Sequence, residues 1–437
     1  MTASEEYNDN IFFSNQPRFK NESDFITAFT PTFTALYSSP GQPDPIFVAN
    51  VSPSGQIYAH HSELNNLGDN INANAIWTYR YSPRLTFIVS DALSRGGVTR
   101  TGFGAEGLNE PTTPTTVPPP GTPPALSENQ DLTGLLNRGR TFQNNFSANA
   151  AYLATPKITI SGRYGSTYTR LSTVGDSEIG NSVGIRGAYR WADLWGGDHN
   201  LHLGYTVTHF SRTGGDNSDS LVHSIDFGDD YLSALQIRLT PTLTLSLSTG
   251  LALNTGGKGP KIANNSSATI IKLWPTATFQ AGARSGLGSN FGVSSGIAQT
   301  TTFFGGFEIR LTQNLRGILQ VDYTMINGDD NDTNVLRATN SLQYWITTWL
   351  TSSLSYNHRW RKADDSTASL SRGRVASNSV ILSFTAHFDV WPYVGLSRAP
   401  MREFLIQPGL PPFAAPPAPE SPTPSEPPQP QSPGPPS

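Results

Sequence analysis

The feature that most constrains this chain is a recurring hairpin. A run rich in aromatic and apolar residues ends in Ser-Pro or Thr-Pro, and a new alternating run starts at once. The clearest copy is WTYRYSPRLTFIVS (77–90), and the device returns as AAYLATPKITISGRY (150–164), LQIRLTPTLTLSLS (235–248) and IKLWPTATFQAG (271–282). Looser copies are IRLTQNLRGILQVDY (309–323) and LQYWITTWLTSSLSY (342–356). The other ends of these runs meet long polar segments rich in Gly, Asp and Asn.

Period-2 alternation predicts strands at 7–14, 24–37, 46–60, 69–81 and 84–94. After an insertion (95–140) they resume at 141–154, 157–170, 178–193, 199–212, 219–239, 243–256, 264–274, 276–288, 297–311, 315–327, 334–347, 350–362 and 373–389. That is about 18 strands (16–18 allowing for ambiguous ends), most long enough to cross a membrane at a tilt. Tight turns on one side and long loops on the other describe an all-β fold: a transmembrane antiparallel up-and-down β-barrel of the bacterial outer-membrane kind. An even count brings both termini to one side.

The faces are distinct. In 243–254, Leu243, Leu245, Leu247, Leu251 and Leu253 oppose Thr244, Ser246, Ser248, Gly250 and Asn254. In 69–81, Ile71, Ala73, Ala75, Trp77, Tyr79 and Tyr81 oppose Asn70, Asn72, Asn74 and Arg80. A β-sandwich would alternate in the same way. The position of the aromatics selects the barrel: Trp77, Tyr79, Tyr81, Tyr152, Tyr189, Trp191, Trp274, Tyr344 and Trp349 cluster toward the short turns, as a membrane-interface girdle would.

Bulk composition agrees. Mean hydropathy is −0.33 and no run of 18 apolar residues exists, so no transmembrane helix is predicted. Only 14% of residues are charged, sparse for a soluble surface, and the net charge of −4 excludes a basic nucleic-acid binder. Cysteine is absent, which removes disulfides, thiolate chemistry and covalent c-type haem. No cofactor is expected. The start MTASEEYNDNIFF has no basic stretch leading into an apolar one, so the barrel reading expects an export signal that was removed or lies upstream of this start.

The predicted domain plan is a barrel over 1–394 and a disordered Pro-rich tail over 395–437. The insertion contains EPTTPTTVPPPGTPP (110–124), too rich in proline for a sheet interior. On the barrel reading the tail is a periplasmic spacer, with contact to peptidoglycan or a periplasmic partner as the sharper alternative. SNSVILSFTAHFDVWPY (377–393) looks like the terminal strand read by the outer-membrane barrel assembly machinery, with Phe384 and Phe388 as its aromatic signals, although a further tail follows it.

The N-terminal region carries a resemblance. YNDNIFFSNQPRFKNESDFITAFTPTFTALYS (7–38) and HSELNNLGDNINANAIWTYRYSPRLTFIVSDALS (61–94) resemble the start of bacterial outer-membrane β-barrel porins, most of all those found beside exopolysaccharide and PEP-CTERM sorting systems. The shared elements are a DNIF strand, an SDFIT…P strand and an N…Y…P-x-L hairpin, covering about the first 95 residues. The resemblance implies an outer-membrane location and a barrel fold; the insertion and the tail lie outside it.

The chemistry sits on the polar parity. Arg80, Arg163, Arg186, Arg190, Arg238, Arg310, Arg337, Arg359 and Arg361 fall there, with Asp226, Asp230, Glu308 and Asp322. Charge facing lipid costs a few kcal/mol, so these residues are expected to line the lumen. They suit either an anion-biased, water-filled pore or an Arg–carboxylate lattice that braces the wall. Inward aromatics are few (Phe210, Phe304, Trp345) and read as strand-end packing ahead of a sugar-stacking path.

Other motifs carry less. His60 and His61 are adjacent, so on a strand they would point to opposite faces and share no ion; His202 and His209 have opposite parity. GDDNDTN (328–334) lacks the spaced Glu of a calcium loop, so no metal site is expected. His209 with Ser211, or His358 with Ser355, lacks a third partner, so no catalytic residue is assigned. The expectation is a passive porin for small polar or anionic solutes, embedded in outer-membrane lipid. Its rivals are an export or scaffold barrel for exopolysaccharide or surface assembly, and a sheath for a separate electron carrier. A homo-oligomer is compatible with the chain, with no interface strand named.

Overall fold

The computed structural model describes residues 1–11, 22–37, 46–97, 140–171, 177–194, 197–213, 218–229, 235–240, 242–256, 262–289, 297–328, 332–363 and 373–387. Most of the 95–140 insertion, all of the 395–437 tail, Asp230 and Phe388 lie outside them.

The strand segments are β1 (Thr2–Asn8), β2 (Asp24–Thr30), β3 (Phe33–Tyr37), β4 (Phe47–Tyr58), β5 (Asn66–Ser82), β6 (Leu85–Gly97) and β7 (Arg140–Thr155). Next come β8 (Ile158–Leu171), β9 (Ser177–Leu194), β10 (Gly197–Thr213), β11 (Ser218–Asp229), β12 (Leu235–Thr240), β13 (Leu243–Asn254) and β14 (Ile262–Asn264). The last are β15 (Ser266–Leu273), β16 (Ala277–Ser289), β17 (Ile297–Arg310), β18 (Leu315–Asn327), β19 (Asp332–Trp345), β20 (Leu350–Ala363) and β21 (Gly373–Ala386). These 21 segments make 18 staves, because β2 with β3, β11 with β12, and β14 with β15 each share one stave. Neighbouring staves pair antiparallel. β1 pairs with β21 from Thr2↔Thr385 to Asn8↔Ser379 and closes the barrel.

The tight turns show why Ser or Thr precedes proline. Thr155 Oγ1 accepts the N–H groups of Lys157 (3.3 Å) and Ile158 (3.1 Å), and Ser82 Oγ accepts that of Arg84 (3.3 Å). Thr347 Oγ1 does the same for Trp349 and Leu350, so the looser copies use the hydroxyl without the proline. The hydroxyl satisfies donors that the reversal would orphan, and proline presets φ for the turn. These turns define a turn side; the opposite ends of the staves define a loop side.

Several boundaries differ from the sequence expectation, and the expected 219–239 strand divides into β11 and β12. The first strand is Thr2–Asn8 rather than 7–14, because Asn8 turns the chain: its Oδ1 accepts the Asn10 N–H at 2.9 Å. The 24–37 strand breaks around Pro31, which has no N–H for the ladder. β6 and β7 run on to Gly97 and Arg140, slightly into the expected insertion.

The barrel is apolar outward. Val183, Ile185, Leu203 and Leu251 are more than 60% exposed on its outer face. The outward run on β9 from Ile179 to Tyr189 projects to about 25 Å at a tilt of roughly 40°. Inward apolar residues gather near the loop side: Phe210, Val222, Ala252, Ala263, Leu287 and Ile297 in one buried patch, and Ala298, Ile326 and Val335 in another.

Candidate functional site: a charged lattice on the inner wall

Directly paired residues in a sheet face the same side, so the register places each side chain. One inner row runs Arg186↔Gly204↔Asp226↔Gly250 across β9, β10, β11 and β13. Arg186 and Asp226 are two strands apart, about 9.5 Å of backbone spacing. The guanidinium reaches across Gly204, and its Nη2 donates to Asp226 Oδ2 at 3.0 Å. His202 Nε2 meets the same oxygen at 2.9 Å. Gly204 is what makes this fit: a Cβ there would lie 2.6 Å from Asp226 Oδ1. Arg163 on β8 pairs with Gly184, one inward step from Arg186. Arg186, His202 and Asp226 are all buried.

A second pair lies nearer the loop side, where Glu178 sits directly opposite Arg212. Arg212 Nε and Nη2 both donate to Glu178 Oε2, at 3.2 and 2.9 Å. A third group lies at the turn side. Arg310 and Arg316 are directly paired, an unfavourable like-charge arrangement, and Glu308 compensates by holding Arg316 at 2.6 Å. A fourth row runs Phe304↔Asp322↔Arg337↔Arg359 across β17 to β20. Arg361 stands one inward step above Arg359 and is 1% exposed. Arg284 lies over the Phe304 ring, 5.7 Å from its centroid.

The predicted arginines Arg80, Arg190 and Arg310 also face inward, but they are exposed at the turn-side mouth, whereas Arg186 and Arg361 are buried in the wall. Arg238 lies in β12, where its side chain is not described. The residues that sequence reasoning missed are His202, Gly204, Arg284, Glu178, Arg212 and Arg316. Arg284 and Arg316 share the polar parity of their strands and were accessible to the same argument. Gly204 was not, because its role depends on which residue faces it.

Eight of the nine predicted girdle aromatics, Trp77, Tyr79, Tyr81, Tyr152, Tyr189, Trp191, Trp274 and Tyr344, have the outward parity and are 42–69% exposed, whereas Trp349 lies exposed in the turn before β20. A second outward set stands higher, with Tyr7 and Phe25 at the loop-side end, their rings 5.1 Å apart, and with Tyr164, Tyr205 and Tyr356. Phe384 is outward on β21. Phe210 packs in the inner apolar patch, as strand-end packing would have it.

The histidines correct one expectation. His60 and His61 are not on a strand, and both imidazoles turn to the same carboxylate. Asp24 Oδ1 meets His60 Nδ1 at 3.1 Å and Asp24 Oδ2 meets His61 Nδ1 at 2.8 Å, while Asp24 also accepts both backbone N–H groups. Opposed faces apply only to extended backbone, and this bend escapes them. His358 points outward to Asn378 Oδ1 (2.8 Å) whereas Ser355 points inward, so that pair is separated by the wall.

No family model and no curated protein matches this chain. Among solved structures it is similar to the siderophore receptor PirA from Pseudomonas aeruginosa, at 11% identity and TM-score 0.38 over 87% of this chain and 79% of that one. It is also similar to OccAB3 from Acinetobacter baumannii (11% identity, TM-score 0.39, 89% and 98% covered). A third likeness is to the alcaligin outer-membrane receptor FauA from Bordetella pertussis (9%, 0.36, 89% and 75%). The barrel assignment rests on the closed ladder of this chain and not on these likenesses.

Proposed function

We propose that this chain is an integral outer-membrane channel that passes small polar or anionic solutes through an arginine-rich lumen. One observation supports the reading: along the same strands, exposed apolar and aromatic residues alternate with arginines of the opposite parity. A wall sorted this way is stable only with lipid outside and water within reach of the inner face. Many of the inner arginines brace the wall through carboxylates, so bracing and selectivity divide by position. Buried Arg186 is held by Asp226. Exposed Arg190 and Arg310 at the turn-side mouth set the field a permeating ion meets. Outward Phe384 fits a last strand read by the assembly machinery.

The test is conductance of the purified, refolded protein in a planar bilayer, with reversal potential under a salt gradient. Stable steps with anion preference are expected. The double variant Arg190→Gln, Arg310→Gln is expected to move the reversal potential toward the unselective value. An unmoved potential removes the arginine-mouth reading, and a folded barrel with no steps removes the channel reading.

A further inference from the structure

The inner wall is not charged all round. Across β19, β20, β21 and β1 the inward rows are Trp345↔Thr351↔Thr385↔Thr2, then Gln343↔Ser353↔Ser383↔Ser4, then Ser341↔Ser355↔Ile381↔Glu6, then Thr339↔Asn357↔Ser379↔Asn8. Hydroxyls and amides dominate this strip. Arg316 borders it at Gln343, Glu6 sits at its far edge, and Arg337 with Arg359 stands above it. The strip covers three inward steps, about 20 Å along the wall.

Its polar groups are only partly used. Ser353 Oγ and Ser383 Oγ bond at 2.7 Å, and Asn357 Nδ2 donates to Ser379 Oγ at 3.4 Å. Yet Gln343 Oε1, Ser355 Oγ and Asn357 Oδ1 have no hydrogen-bond partner among the described residues, although these side chains are 5%, 2% and 2% exposed. Buried polar atoms are nearly always paired, and each orphan calls for a cause. Turning the Asn357 amide over exchanges which of its atoms is orphaned but leaves one. Three orphans on two adjacent strands form a set of uncharged hydrogen-bonding atoms aimed at one strip. At its turn-side end stands Trp345, half-buried and inward, one of the few inward aromatics. An indole face takes the apolar face of a sugar ring, while hydroxyl and amide atoms take its hydroxyls.

We infer that Trp345, Gln343, Ser355 and Asn357 form a subsite for a neutral polyhydroxylated solute, a sugar chain entering along the wall from the turn side. The inference deepens the channel reading by naming a substrate class, and it rests on that reading for transport but not for binding. The arginine-rich wall then orients anions while this strip holds uncharged hydroxyls.

The test is isothermal titration of the full-length barrel in micelles with two neutral probes, α-linked maltohexaose and β-linked cellohexaose. Saturable binding of at least one is expected, without competition from inorganic phosphate. Trp345→Ala should weaken it about tenfold, as should the pair Ser355→Ala, Asn357→Leu, and Trp345→Phe should keep most of it. Each variant is first checked for the heat-modifiable electrophoretic mobility of a folded barrel; the pair Ser355→Ala, Asn357→Leu decides the matter if Trp345→Ala does not fold. Binding of neither probe overturns the subsite, as does binding that Trp345→Ala and the Ser355, Asn357 pair leave intact, or phosphate competition. Bilayer conductance without sugar binding sinks the subsite alone. Sugar binding without conductance sinks the channel alone.

Discussion

At the scale of single residues, the lattice on the inner wall depends on its smallest member. Arg186 reaches Asp226 only because Gly204 leaves the space between them empty. Gly204→Val is expected to push the Asp226 carboxylate away from both Arg186 and His202. Asp226→Ala removes that acceptor from a buried guanidinium, and breaking a fully enclosed pair costs about 3–5 kcal/mol. Both variants should lower the unfolding free energy in urea titrations from lipid vesicles, Asp226→Ala by more. Equal stability of Asp226→Ala and the parent would mean that water, not Asp226, satisfies Arg186. The paired residues come from three strands, so no local sequence window contains the interaction. Parity marked Arg186 and Asp226 as inward; only the register shows that Gly204 is the gap between them.

At the scale of a strand, inner and outer positions should respond oppositely to the same change. Val183 is 61% exposed on the outer face near the middle of β9. Val183→Arg should cost about 2–4 kcal/mol by placing a charge against hydrocarbon. Gln320 on β18 is exposed on the inner face, so Gln320→Arg should leave stability nearly unchanged and raise anion preference in the reversal-potential measurement. If both variants lose stability equally, the two faces do not differ in solvent and the membrane reading fails. This two-sidedness was the most legible property of the chain, because a period of two survives small errors in strand ends. Boundaries survived less well. Alternation alone could not locate the end of β1, where Asn8 bonds the Asn10 backbone, or the break at Pro31. The pairing of His60 and His61 on Asp24 was hidden for a related reason: parity describes strands, and that bend is not one.

At the scale of the whole molecule, the barrel has one seam that chain connectivity does not close. Every other stave is joined to a neighbour by a turn or loop, whereas β1 meets β21 only through noncovalent pairing. A strand edge left open there would expose backbone donors and acceptors to hydrocarbon. The loop-side end of the seam is reinforced by side chains. Asp9 Oδ1 accepts the Asn378 backbone N–H and Asp9 Oδ2 accepts Asn378 Nδ2, both at 2.6 Å. Asn10 Nδ2 donates to the Ala376 carbonyl and Ser377 Oγ donates to Asn8 Oδ1, both at 2.9 Å. The Asn-Asp-Asn run that ends β1 therefore also clips it to β21. Asp9→Ala removes two charge-assisted bonds and should cost about 1–3 kcal/mol of local stability. Because the ladder beyond Asn8 stays intact, the barrel should still assemble, and the loss should appear as local opening rather than global unfolding. Hydrogen exchange read by mass spectrometry should show faster exchange confined to β1 and the loop-side half of β21, with β9 and β10 unchanged. Faster exchange all round would mean that closure is cooperative with the whole wall. Unchanged exchange at the seam would mean that backbone pairing from Thr2 to Asn8 suffices and that the clip adds nothing.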